Sequence, residues 1–118
     1  MKVDSRDTYT GEDTLLWHDD EHVTGEVEYR DANGNLILAA DYWEGVKHGR
    51  QQEWYPDGAK RAEGGINMGA AVGEWRKWHP NGQLAELRTF AENGNPLHRT
   101  RWDRDGNLTE DKQLGGRA

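Results

Sequence analysis

The stretch WHPNGQLAE, residues 78–86, sets an aromatic residue, a proline, an Asn-Gly pair and an aliphatic residue in an order that recurs along the chain. WYPDGAKRA at 54–62 and WDRDGNLTE at 102–110 repeat it, and RDANGNLIL at 30–38 repeats it more faintly. Gly34, Gly58, Gly82 and Gly106 stand 24 residues apart, directly after Asn33, Asp57, Asn81 and Asp105. Gly25, Gly49 and Gly73 keep the same step, and a third series runs through Gly45 and Gly69 before slipping by one residue to Gly94. Trp54, Trp78 and Trp102 form one apolar column, and Tyr42, Ile66 and Phe90 form another. Repetition this regular outranks local propensity, because each repeat has to be one structural unit.

An Asn-Gly or Asp-Gly pair between short runs rich in Trp, Tyr, Leu and Val is a hairpin signal, since these residues tolerate the positive φ of tight turns. The preceding Pro in YPDG and HPNG pre-sets φ for a type I turn, which leaves the Gly to take the left-handed conformation in a three-residue loop. Two strands of about eight residues and two short turns then account for the period. With residues 80–82 as the loop, His79 faces Gln83, Trp78 faces Leu84, Arg76 faces Glu86, Glu74 faces Arg88 and Val72 faces Phe90. The same reckoning pairs Trp54 with Lys60 and Trp102 with Leu108. It puts Trp75 with Leu87, Tyr29 with Ile37 and Glu53 with Arg61 on the opposite, less regular face.

The whole chain bounds what such a sheet can be. Its 118 residues form one domain, and the hydrophobic content of 33% with a mean hydropathy of −1.14 leaves little material for a two-sided core. A net charge of −7 argues against nucleic acid and direct membrane binding, both of which call for a basic surface. A basic protein partner fits better. No cysteine is present, so disulfides and thiolate metal sites are excluded, and the composition suits a reducing cytoplasm, the expected location. The start, MKVDSRDTYTGED, lacks the apolar run of a signal peptide.

The order of aromatic residue, Pro or polar residue, Asn-Gly or Asp-Gly, Leu two residues on, a later aromatic and then EGVKHG or MGAAVG resembles the MORN-repeat variant. Many members of that family are labelled YwqK-type antitoxins. The resemblance covers residues 24–110 and departs from the pattern at Arg30, at Lys60 and at the slip through Asn93, Gly94, Asn95 and Pro96. It implies an all-β fold: an elongated single-layer antiparallel sheet of consecutive β-hairpins, both faces open to a partner. Residues 1–12 are expected as a flexible N-terminal segment, 13–111 as hairpin repeats and 112–118 as a frayed tail. Ahead of the repeats, Leu15 to Trp17 and Val23 to Tyr29 read as the two strands of one more hairpin.

Chemistry is sparse. HDDEH, residues 18–22, has metal-ligand types, but alternate side chains of a hairpin point to opposite faces, so no metal is expected. Ser5 is the only serine, no two of His48, His79 and His98 share a column with a carboxylate in a way that suggests general acid and base work, and the glycines open no helix. We expect no enzyme and no cofactor. Three function classes remain: an antitoxin or immunity-type protein that binds a cognate, basic toxin; a scaffold or membrane-associated module; and a carbohydrate binder using exposed Trp. Monomer or weak edge-to-edge dimer is the expected state. For the first class the candidate contacts are the acidic turn Asp19, Asp20 and Glu21, for long-range steering, and Tyr29, Trp43, Tyr55 and Trp75, as anchors. Gly34, Gly58, Gly82 and Gly106 have the structural task of the turns.

Overall fold

In the computed structural model, which describes residues 2–115, the chain is built from strands and one 3-10 turn. Nine strands form one sheet: β1 (Lys2–Asp4), β5 (Gly25–Arg30), β6 (Leu36–Trp43), β7 (Val46–Trp54), β8 (Lys60–Asn67), β9 (Ala70–Trp78), β10 (Leu84–Phe90), β11 (Pro96–Trp102) and β12 (Leu108–Gln113), side by side in that order. From β5 onward each strand pairs antiparallel with its successor, and the sheet is not closed. A smaller sheet holds β2 (Thr8–Thr10), β3 (Leu16–His18) and β4 (Glu21–His22). The molecule measures 48 × 40 × 20 Å, and the short dimension reflects a sheet one layer thick over most of its length.

The turns follow from the Asn-Gly and Asp-Gly pairs. At residues 79–83 Gly82 donates to the His79 carbonyl (2.9 Å), His79 donates to Gln83 (2.8 Å), and Gly82 takes φ +88°. Residues 31–35, 55–59 and 103–107 repeat this arrangement. On the opposite edge, Glu44-Gly45 and Met68-Gly69 make two-residue turns with positive φ at both positions. The slip at Gly94 is an insertion: residues 91–95 form the longer loop in place of the two-residue one. The series Gly25, Gly49 and Gly73 lies directly across the ladder from Tyr42, Ile66 and Phe90, so two of the sequence columns are cross-strand partners.

The register departs from the sequence expectation beyond the first pair. Trp54 faces Lys60, Trp78 faces Leu84 and Trp102 faces Leu108, as the loop length requires. The next step then carries an extra residue, Ile37, Arg61, Ala85 or Thr109, in every hairpin. Such a bulge sets two residues against one and increases the local twist. Glu86 therefore faces Lys77 rather than Arg76, Arg88 faces Trp75 rather than Glu74, and Phe90 faces Gly73 rather than Val72. Tyr29 faces Leu38 instead of Ile37, and Glu53 faces Ala62 instead of Arg61. Leu87 pairs with Arg76, not with Trp75.

Two terminal expectations also change. Lys2–Asp4 pairs in parallel with β5, and Thr8–Thr10 pairs with β3, so most of the segment expected to be free is tied into ladders. The first hairpin closes early: Glu21–His22, not residues 23–29, returns against β3, while β5 turns away to start the main sheet. At the other end Lys112 and Gln113 belong to β12, and Leu114 donates to the Leu97 carbonyl (3.0 Å). The rest of the expected tail, 116–118, lies outside the described residues.

Val23, Val27, Ala40 and Tyr42 form the buried core, with Leu16, Tyr29 and Leu38 packed against it. From the small sheet Leu16 reaches it, its amide donating to the Gly45 carbonyl at the β6–β7 turn (3.0 Å). Farther along the main sheet the packing thins to single contacts. The Trp75 indole lies flat on Gly64, where an added Cβ would come within 2.1 Å of the ring, and its Nε1 donates to the Gly65 carbonyl (2.9 Å).

Two glycines are therefore needed for different reasons. Gly82→Ala should cost about 1–2 kcal/mol through backbone strain alone, whatever stands at position 75. Gly64→Ala should destabilise the wild type yet be close to neutral in a Trp75→Ala background, a coupling of roughly 1 kcal/mol or more. Urea unfolding of the four-member cycle checks this, and a coupling near zero would contradict the stacking.

Candidate protein-interaction site

The acidic turn caps the β3–β4 hairpin. Trp17 faces His22 and His18 faces Glu21, leaving Asp19 and Asp20 as the loop, with Asp19 at φ +55°. Asp19 is 86% exposed and lies 3.8 Å from His18 Nδ1; Asp20 and Glu21 are exposed and make no ion pair among the described residues. A cleft of about 530 Å³ opens beside the turn, lined by Trp17, Asp20, Glu21, His22, Thr24 and Glu44. Three carboxylates at its rim leave it electronegative.

Exposed aromatic surface adjoins this cleft. The Tyr9 ring stacks on Trp17, with centroids 6.4 Å apart, and its hydroxyl donates to the Asp19 carbonyl (2.8 Å). Tyr9 and Trp43 are about half exposed, and Trp43 precedes Glu44, whose amide donates to Thr24 Oγ1 (2.9 Å). Sequence reasoning missed Tyr9 and Trp17: the first lay in a segment expected to be unanchored, and the second in the strand before the turn. The only signal was the alternation of Thr8, Tyr9 and Thr10 ahead of a glycine.

The other sequence candidates lie elsewhere. The Tyr29 hydroxyl is 2.7 Å from that of Tyr42, within the core. Burial pushes the Tyr42 hydroxyl well above its ordinary pKa, with the Tyr29 contact adding to it, so Tyr42 stays protonated. Tyr55 donates to the Trp78 carbonyl (2.7 Å), tying one hairpin turn to the next. His79, one repeat later, does the same through Nε2 to the Trp102 carbonyl (2.8 Å). Trp75 packs on Gly64, so of the four proposed anchors only Trp43 stands near the acidic turn. No cluster of three or more His, Asp or Glu side chains suited to a metal ion occurs among the described residues.

Asp13 holds the module together. Its carboxylate accepts from Trp17 Nε1 and the Leu15 amide, both at 3.0 Å, and lies 2.9 Å from His22 Nε2. The His22 contact, then the Trp17 and Leu15 hydrogen bonds, lower its pKa to about 2. A folded-state pKa below the unfolded value, about 3.9, stabilises the fold above that unfolded value. This contribution is lost as pH falls toward the folded one. The β2–β4 module should thus loosen between roughly pH 4 and pH 2. The Trp17 indole proton resonance should follow that transition, and Asp13→Asn should flatten its pH dependence over this window.

Residues 71–92, which run through β9, the 79–83 turn and β10, match the family described as the MORN repeat variant. No curated protein matches the sequence. Among solved structures, the crystal structure of TarM is similar at 13% identity, covering 92% of this chain and 20% of that one, with a TM-score of 0.49. A mutant of S. aureus TarM in complex with Fondaparinux, alpha-GlcNAc-glycerol and UDP gives 10% identity, the same coverages and a TM-score of 0.47. The chain thus spans about a fifth of the length of those proteins, and likeness at this level carries no activity or ligand across. Residues 71–92 thus match one MORN repeat variant, and the turn spacing of that segment recurs every 24 residues along the chain.

Proposed function

We propose that this chain is a protein-interaction module of the antitoxin or immunity type, one that neutralises a basic protein toxin by binding it, without catalysis of its own. The MORN-repeat match is consistent with the broader class, a protein-interaction scaffold. The observation that favours an inhibitor of a basic partner is the exposed acidic turn, Asp19, Asp20 and Glu21, set beside the exposed rings of Tyr9 and Trp43. Charge is distributed accordingly. Residues 1–59 hold 14 acidic and 5 basic side chains, whereas residues 60–118 hold 8 and 10, so attraction for a cationic partner concentrates at the N-terminal end. Carboxylates at the rim would speed encounter, and desolvated rings would retain the complex. A cytoplasmic setting belongs to the same proposal; no helix among the described residues is long and apolar enough to cross a membrane.

The product of the neighbouring reading frame is the partner to test, by surface plasmon resonance. Joint replacement of Asp19, Asp20 and Glu21 by Asn, Asn and Gln should slow association several-fold and flatten its salt dependence, leaving dissociation nearly unchanged. Tyr9→Ser and Trp43→Ala should speed dissociation, while Trp75→Ala should lower stability and leave both rates alone. Unaltered kinetics in the acidic-turn and Tyr9 variants would overturn this location of the interface.

A further inference from the structure

The opposite end of the sheet carries the reverse charge on the face that holds the core. Cross-strand pairing lines up Trp75 on β9, Arg88 on β10, Arg99 on β11 and Lys112 on β12, each directly across from the next. Three cations thus stand side by side on adjacent strands, an arrangement in which like charges repel at the closest distance a sheet offers. The adjoining row is compensated, since Glu86, only 7% exposed, pairs with Arg101 (2.7 Å) and lies 3.8 Å from Lys77; within the cation row itself Arg99 is neutralised by Glu110 (2.5 Å). Arg88 and Lys112 make no ion pair among the described residues. The Arg88 guanidinium instead lies 5.0 Å from the Phe90 ring, and its Nε is buried without a hydrogen-bond acceptor. A buried donor left unpaired costs stability, and a chain with this excess of acids has carboxylates to spare for such a position. On the far side of the cation row lie Gly73, Phe90 and Pro96, which are apolar.

We propose that the row Trp75, Arg88, Arg99 and Lys112, flanked by Phe90, binds an acidic polypeptide segment of a partner protein. Carboxylates of that segment would pair with the Arg88 and Lys112 charges, and its apolar side chains would cover Phe90 and Trp75. The Arg88 guanidinium and the Lys112 ammonium, one strand to either side of the Glu110-bound Arg99, would donate to successive carboxylates of the segment, and the aromatic at each flank confers the preference for a peptide over a bare anion. This site lies at the opposite end from the acidic turn and stands whether or not the partner is a toxin.

The test is titration of the full chain with a fluorescein-labelled eight-residue peptide of alternating Glu and Leu at low ionic strength, followed by anisotropy. Saturable binding is expected, weakened about tenfold or more by Arg88→Met and by Lys112→Gln but little by Arg104→Gln, an exposed cation in the 103–107 turn. Arg88→Met keeps the aliphatic stem and removes both the repulsion and the orphaned donor, so its melting temperature should be unchanged or higher. A lower melting temperature would mean that the charge serves the fold, and would overturn the proposal. Equal loss in the Arg88 and Arg104 variants would mean diffuse charge attraction and would overturn it too, as would tighter binding of tripolyphosphate or of a sulfated polysaccharide than of the peptide.

Discussion

A sheet without a second layer cannot bury its faces against anything, and this constraint governs the rest of the molecule. What a sandwich gains from an opposing sheet has to come from cross-strand neighbours and from the ladder itself. The one well-packed region, Val23, Val27, Ala40 and Tyr42, lies near the start of the main sheet, where Leu16 from β3 packs against it beside Tyr29 and Leu38. Beyond it, stabilisation passes to other devices: Trp75 on Gly64, Glu86 held between Arg101 and Lys77, Lys60 beside Trp54 at 5.4 Å and paired with Glu63 at 2.9 Å. Lys60 in turn draws the Glu63 carboxyl below its usual range. Low hydrophobic content and high charge are thus the composition this architecture requires.

The architecture was legible in the sequence because its punctuation is chemical. Only a few residues tolerate the left-handed conformation of the turns, so Gly34, Gly58, Gly82 and Gly106 announce every loop on one edge, and the loop length then fixes the first pair beyond it. The bulge one step farther had no such marker. Its extra residue is Ile37, Arg61, Ala85 and Thr109 in successive hairpins, four unlike side chains, because a bulge is held by main-chain geometry and asks little of the side chain. Missing it shifted every later pairing by one and reassigned partners, which is how Arg76 was expected opposite Glu86 where Lys77 stands.

The candidate site was legible in part. Net charge and the run Asp19, Asp20, Glu21 pointed to an acidic turn, since charge survives any error of register. The aromatics did not follow, because whether a ring is an anchor or a packing residue depends on what lies across the strand. Tyr29 meets Tyr42, Trp75 meets a glycine, and Tyr9 meets Trp17 across a ladder formed by residues with no repeat signal. Periodicity reports what the repeats share, and the N-terminal cap is where the chain stops repeating.

The bonds from Tyr55 to the Trp78 carbonyl and from His79 to the Trp102 carbonyl come from one position of the repeat, and the same position holds aspartate at 31 and 103. Those aspartates close on their own turns, Asp31 accepting from Asn33 and Asn35 and Asp103 from Asp105 and Asn107. A donor there reaches forward to the next hairpin, and an acceptor there closes on its own turn. An in-frame duplication of a Tyr55-type or His79-type unit would therefore arrive with its forward tie already complementary to whatever follows. Evolution could lengthen such a protein by copying internal segments, leaving the N-terminal cap and the aspartate-marked boundaries untouched.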